Sequence, residues 1–198
     1  MENYGDELRV GVERMWDVVL TLRLAELGLG VIYGLAVDDT HELGAEDEGH
    51  ATPGRGWVQV RAPSLTPEAI LTAMDAGDFY ASTGVVLRDV GMEGDRFEVQ
   101  IAGEPGVSYR TQFIGTREGY DPRREPVIDA DGNEVATTWR YSDDVGEVLA
   151  EVAGTSPSYV LGGDEIYLRA RIISDRAKAN PVSPAEEWEM AWTQPIVP

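Results

Sequence analysis

Hydrophobic positions recur along this chain at two different periods, and the change from one to the other falls near Gly84. Between about residues 6 and 28, Val12, Met15, Trp16, Val19, Leu20 and Leu24 lie three, four and one apart, the spacing that lines one face of an α-helix. Gly28 and Gly30 supply its stop. The mostly apolar run Val31 to Val37 predicts a strand, followed by a polar loop from Asp38 to Gly56 and a second strand in GWVQVRA. In SLTPEAILTAMDAGDF, Thr66 is placed to cap a helix whose first residue is Pro67, and Gly77 ends it. Helix and strand thus alternate over residues 1–84, as α/β units do.

Beyond Gly84 the period becomes two. Phe97, Val99 and Ile101 share one face of RFEVQIAG. Val107, Tyr109, Thr111 and Phe113 do so in VSYRTQFIG, and Ile166, Leu168, Ala170 and Ile172 in EIYLRARII. A late strand, WEMAWTQPI, alternates Trp188, Met190 and Trp192. Gly, Pro and Asp turns separate these runs, which predicts an antiparallel sandwich over residues 85–198. The expected class is therefore α+β: a short N-terminal α/β portion followed by a mainly antiparallel β-sandwich.

Composition narrows the partners. Thirty-six acidic residues against sixteen basic ones leave a formal net charge of -20, and Lys178 is the sole lysine. Such a surface repels nucleic-acid phosphates and anionic membranes, so neither is an expected partner. It suits a salty habitat, where self-repulsion is screened, or reflects biased codon usage. The absence of cysteine removes disulfide and thiol chemistry. No apolar run approaches the ~20 residues that cross a bilayer, and MENYGDELR is unlike a signal peptide, so a cytoplasmic location is expected.

Candidate chemistry gathers where the first strand ends, in VIYGLAVDDTHELG. Asp39 and His41 lie two apart at the C-terminal end of a strand in an α/β unit, where side chains face the mouth of a sheet or barrel. A carboxylate and an imidazole there suit zinc, manganese or iron, with Asp38 as a further ligand or a partner orienting His41. On spacing alone, a lone Asp-x-His being a weak motif, the favoured alternative is that Asp38 and Asp39 cap the following turn and His41 is a solvated loop residue.

The order of YGLAVDDTH, then PGRGWVQVRAPSLTPEAILTAMDAGDFYASTG, then a β-rich tail closing on YLRARI and AWTQPI, resembles the C-terminal part of PHP-domain proteins, the metal-dependent phosphoesterases of polymerase and histidinol phosphatase type. The likeness is densest from Trp16 to Gly84 and weakest between Gly106 and Gly154. It implies the last helix and strand of a distorted β/α barrel over residues 1–84, with an appended β-sandwich. It further implies that Asp39 and His41 match the family's final Asp-x-His ligand motif, for a divalent metal that acts on a small phosphorylated substrate in the full-length parent. The family's early His-x-His motif and further ligands have no counterpart here, and His50, in HATPGRG, has no family role. This chain alone is expected to be inactive, and apolar surface around Val31, Ile32, Leu35 and Val37 is expected to pair in a homodimer or other homo-oligomer. The alternative is a non-catalytic module for ligand binding or assembly, with Trp139 and Tyr141 in TTWRYSDD as a stacking platform if they are exposed and coplanar.

Other signals weigh less. DADGNE, residues 129–134, starts like a calcium loop but lacks the EF-hand spacing, and a tight turn at Asp131-Gly132 is the expectation. GLGVIYG follows a helix, the wrong context for a dinucleotide. Arg55, Tyr80, Ser82 and Thr83 could contact an anion near the site, or could serve as core and turn residues. No GxSxG pattern supports acyl-transfer chemistry.

Overall fold

The computed structural model describes residues 5–41, 52–181 and 188–198, with only the backbone of residues 136–138. Helix α1 (Val12–Thr21) continues into one π-helical turn, Leu22–Glu26. It starts at Val12 rather than near residue 6. The Asp6 carboxylate accepts hydrogen bonds from the backbone N–H groups of Leu8 and Arg9 at 2.8 and 2.7 Å, closing a turn that competes with the helix. Its sheet-facing residues are Asp17, Val18, Leu20 and Thr21, while Val12 and Met15 of the predicted apolar face are exposed.

Strand β1 (Trp57–Val60), helix α2 (Pro67–Asp75) and strand β2 (Phe79–Ser82) follow. The punctuation of α2 is the predicted one: Thr66 Oγ1 accepts from Ala69 N–H at 3.3 Å, and Pro67 fills a position whose N–H has no helical partner. Gly77 leaves the helix at φ 76°, where an added Cβ would sit 2.7 Å from the Tyr33 ring, so conformation and space both demand glycine.

The remaining strands are β3 (Leu87–Glu93), β4 (Arg96–Ile101), β5 (Tyr109–Arg117), β6 (Arg124–Ile128), β7 (Glu134–Tyr141), β8 (Glu147–Ala153), β9 (Ser158–Val160), β10 (Glu165–Ala177) and β11 (Trp188–Thr193). Every pairing is antiparallel. Six strands form one sheet in the order β1-β2-β11-β10-β5-β8, three form another in the order β3-β4-β9, and β6-β7 is a separate hairpin. The larger sheet draws strands from both sides of Gly84.

The two larger sheets face each other across one core. Tyr80, Phe113, Leu168, Ala170, Ile172 and Ala191 project from the six-stranded sheet against Leu87, Phe97, Val99 and Ile101 of the three-stranded one. Phe97 and Phe113 meet edge to face across the layers, with centroids 6.1 Å apart. Burying each such side chain contributes roughly 1.5–3 kcal/mol against the entropy of ordering it. The class is therefore α+β with a mainly antiparallel, sandwich-like arrangement. Helix α1 covers part of the opposite face of the large sheet, and no helix among the described residues is long and apolar enough to cross a membrane.

Three strand expectations need correction. Residues 31–37 form no strand, because a ladder needs a neighbouring strand and the Gln194 side chain supplies only one residue's pairing. Gly34 N–H donates to Gln194 Oε1 at 2.8 Å, and Gln194 Nε2 donates to Gly34 O at 2.9 Å. Leu35 and Val37 remain exposed, with Val31 and Ile32 half-buried. In β10, Leu168, Ala170 and Ile172 face the core as predicted, but a register shift between Glu165 and Tyr167 leaves Ile166 half-buried. In β11 the buried face is Ala191 and Thr193; Trp188, Met190 and Trp192 are half-buried. Trp192 pairs with Arg171 on the α1 side, which a single helix covers only in part.

Candidate functional site

The chain reaches Asp38 as an extended segment held by side chains. Trp16 Nε1 donates to Ile32 O at 3.0 Å, and the Gln194 amide clasps Gly34 two residues on. Asp38 then closes a second loop: its carboxylate accepts from the backbone N–H groups of Gly54, Arg55 and Gly56 at 2.9, 2.6 and 2.8 Å. Partial burial alone would raise its pKa, but these three donors hold it below the usual carboxylate range. Asp38 is thus the turn-capping carboxylate, with two backbone donors on Oδ1 and one on Oδ2.

Asp39 adopts a left-handed conformation at φ 55°, which turns the chain so that His41 comes back over it. His41 Nδ1 lies 2.7 Å from the Asp39 carbonyl oxygen and 3.9 Å from Asp39 Oδ1. A carbonyl oxygen only accepts, so Nδ1 carries a proton, and in the neutral form of the ring Nε2 is the nitrogen with the lone pair. The His41 side chain is 76% exposed and that of Asp39 38%. The result is an oriented Asp-x-His pair at the surface, with the free imidazole lone pair on the ring nitrogen remote from the backbone.

Arg55 is buried beneath this turn. Its Nη1 donates to Asp38 O at 3.2 Å and its Nε to Asn180 O at 3.0 Å, tying the loop to the end of β10. Tyr80, Ser82 and Thr83 take core and turn roles. Tyr80 Oη accepts from Leu87 N–H, Ser82 Oγ donates to Val85 O, and Thr83 Oγ1 accepts from Met190 N–H. The Asp131-Gly132 turn is present as predicted, with Gly132 N–H on Asp129 O and the Asp129 carboxylate on the N–H groups of Asp131 and Asn133. Trp139 is 40% exposed and lies 5.9 Å from the Arg124 guanidinium carbon, while Tyr141 is half-buried. His50 and the side chain of Thr137 lie outside the described residues.

The most elaborate polar cluster lies beneath α1 and belongs to no sequence motif. Arg169, in mid β10, is 1% exposed beneath α1. Its Nε and Nη2 donate to the two Asp17 oxygens at 2.8 and 2.7 Å, and its Nη1 donates to Glu13 Oε1 at 2.9 Å. The Trp16 ring lies over the guanidinium at 4.9 Å. Tyr167 Oη donates to Asp17 Oδ1 at 2.9 Å, and Arg171 Nη1 donates to Glu13 Oε2 at 2.8 Å. Burial would depress the Arg169 pKa, but Asp17 and Glu13 hold it above its ordinary value; burial and the Asp17 charge raise that of Tyr167. For Glu13 the upward push of burial is overcome by Arg169 and Arg171, and its pKa is lowered. The legible signal was spacing. Glu13 and Asp17 are four apart on a helix and Arg169 and Arg171 two apart on a strand, so each pair shares a face. The cluster anchors α1, and through Trp16 it fixes the segment that ends at Asp39.

In class, then, this is an α+β protein with an antiparallel sandwich and a surface Asp-x-His pair. Compared with protein-family models, curated proteins and solved structures, the chain finds no match in any of the three. The donor set can be tested directly. A catalytic metal takes about three protein ligands with one open position. Asp39 and His41 would supply two at most, Asp38 already accepts three backbone hydrogen bonds, and no group of three metal-binding side chains occurs among the described residues. The described residues therefore do not complete a metal site, and no reaction step follows from them alone.

Proposed function

We propose that this chain is the C-terminal part of a metal-dependent phosphoesterase of the PHP type, in which Asp39 and His41 contribute two ligands to a divalent cation. The remaining ligands come from polypeptide outside the described residues. One observation supports this reading: the hydrogen bond of His41 Nδ1 to the Asp39 carbonyl leaves Nε2 as the nitrogen a cation would take, and the Asp39 carboxylate, 3.9 Å from Nδ1, would rotate to join it there. Exposed Leu35 and Val37, beside this pair in sequence, are where a second copy of the chain would be covered in a homo-oligomer.

The test is a titration of the purified chain with Mn2+, following the ring resonances of His41 by NMR. Selective broadening at His41 that weakens in Asp39→Ala supports the reading, as does metal retained on purification and lost in His41→Ala. Broadening spread evenly over the acidic surface, unchanged in Asp39→Ala, refutes it. That outcome favours the rival reading, a non-catalytic module, although half-buried Tyr141 does not join exposed Trp139 in the expected two-ring platform.

A further inference from the structure

We infer that the molecule carries a binding cleft for a small amino-acid-like zwitterion with an apolar side chain, where β1, β2 and β3 meet the C-terminal segment. The cleft has a volume of about 440 Å³, within the range of small-molecule pockets, and neither Asp39 nor His41 lines it. It is therefore independent of the phosphoesterase reading. Its floor is apolar and buried: Phe79, Leu87 and Phe97 are all below 8% exposure.

Charge sits on the rim, and two of the four charged groups there are already engaged. Arg61 Nη2 donates to Asp89 Oδ1 at 2.5 Å and to Val90 O at 3.2 Å. Arg88 and Asp78 line the same cleft, and neither side chain has a hydrogen bond or ion pair among the described residues. One free guanidinium and one free carboxylate thus border a hydrophobic floor. A ligand carboxylate can take two parallel hydrogen bonds from Arg88 and a ligand ammonium can pair with Asp78, while an apolar side chain covers the floor.

Electrostatics selects the zwitterion over simpler ions. The four rim charges, two Arg and two Asp, sum to zero, matching a ligand with no net charge. A plain anion would have to approach a molecule of net charge -20 and would leave Asp78 unpaired; a plain cation would leave Arg88 unpaired.

The test is calorimetric titration of the intact chain with L-phenylalanine, phenylacetate, which lacks the ammonium, and phenethylamine, which lacks the carboxylate. L-phenylalanine is expected to bind at millimolar concentration or below, and each analogue about tenfold more weakly, the effect of one lost charge-assisted contact. Arg88→Ala should reduce L-phenylalanine binding to the level of phenethylamine, and Asp78→Asn to that of phenylacetate. Both side chains are exposed, so unchanged thermal melts are expected to show that the fold is intact. No binding of L-phenylalanine, equal binding of all three probes, or binding indifferent to both substitutions overturns the inference.

Discussion

Replacing Asp17 by alanine removes the principal partner of a guanidinium that has almost no access to water. The Arg169 side chain is 1% exposed and that of Asp17 4%. Asp17 accepts two hydrogen bonds from Arg169 and one from Tyr167. Hydrogen bonds to charged groups contribute roughly 1.5–3 kcal/mol each, but Arg169 keeps Glu13 and the Trp16 ring, so the losses do not simply add. Breaking one side of a buried ion pair costs about 3–5 kcal/mol, and that range is the expectation for Asp17→Ala. For a domain of this size it corresponds to a fall in Tm of roughly 6–20 °C. Urea unfolding followed by tryptophan fluorescence measures it, with Trp16 reporting beside the lost contact. The double variant Asp17→Leu, Arg169→Met leaves no stranded charge and should be clearly more stable than Asp17→Ala alone. A loss below about 1 kcal/mol in Asp17→Ala, or a double variant as unstable as the sum of its single changes, would refute the reasoning.

Three further outcomes follow from neighbouring contacts. Gly146 has φ 66°, and a Cβ there would lie 2.5 Å from Asp17 Cβ, so Gly146→Ala should displace Asp17 from Arg169 and lower the urea midpoint well beyond the ~1 kcal/mol of a strained backbone alone. Asp38→Ala strands the N–H groups of Gly54, Arg55 and Gly56; a loss of about 1–2 kcal/mol and faster hydrogen exchange at those amides are expected. Burial and the hydrogen bond to Glu165 push the Tyr159 hydroxyl up to about 12. Its raised folded pKa means that its contribution to stability is intact below the ordinary tyrosine value of about 10 and is lost as pH rises toward 12. Phenolate absorbance should show this late ionisation in the folded protein, and Tyr159→Phe should flatten the fall in stability over that window.

The candidate site was legible in unequal parts. Asp39 and His41 announced themselves as charged and titratable residues directly after an apolar run, and their proximity at two residues' spacing needed no tertiary information. The division of labour between the aspartates was not legible. Asp38 is occupied by backbone donors from a turn sixteen or more residues further on, and only folding brings Gly54 to it. Arg55 likewise read as a possible anion contact because its burial against Asn180 depends on where β10 ends.

The α+β class, the alternating core faces of β4 and β5, the start and stop of α2 and the Asp131-Gly132 turn are all legible in the linear chain. Each of these follows from a local period or from a residue's own backbone chemistry. Contacts between distant segments set the rest: residues 31–37 have no strand beside them, β11 buries alanine and threonine rather than its tryptophans, and Arg169 lies in the interior. Periodicity reports one covered face at a time. Whether a second face is covered, and whether a charge on it meets Asp17 and Glu13 from the far end of the chain, is set by packing between elements, which no local pattern encodes.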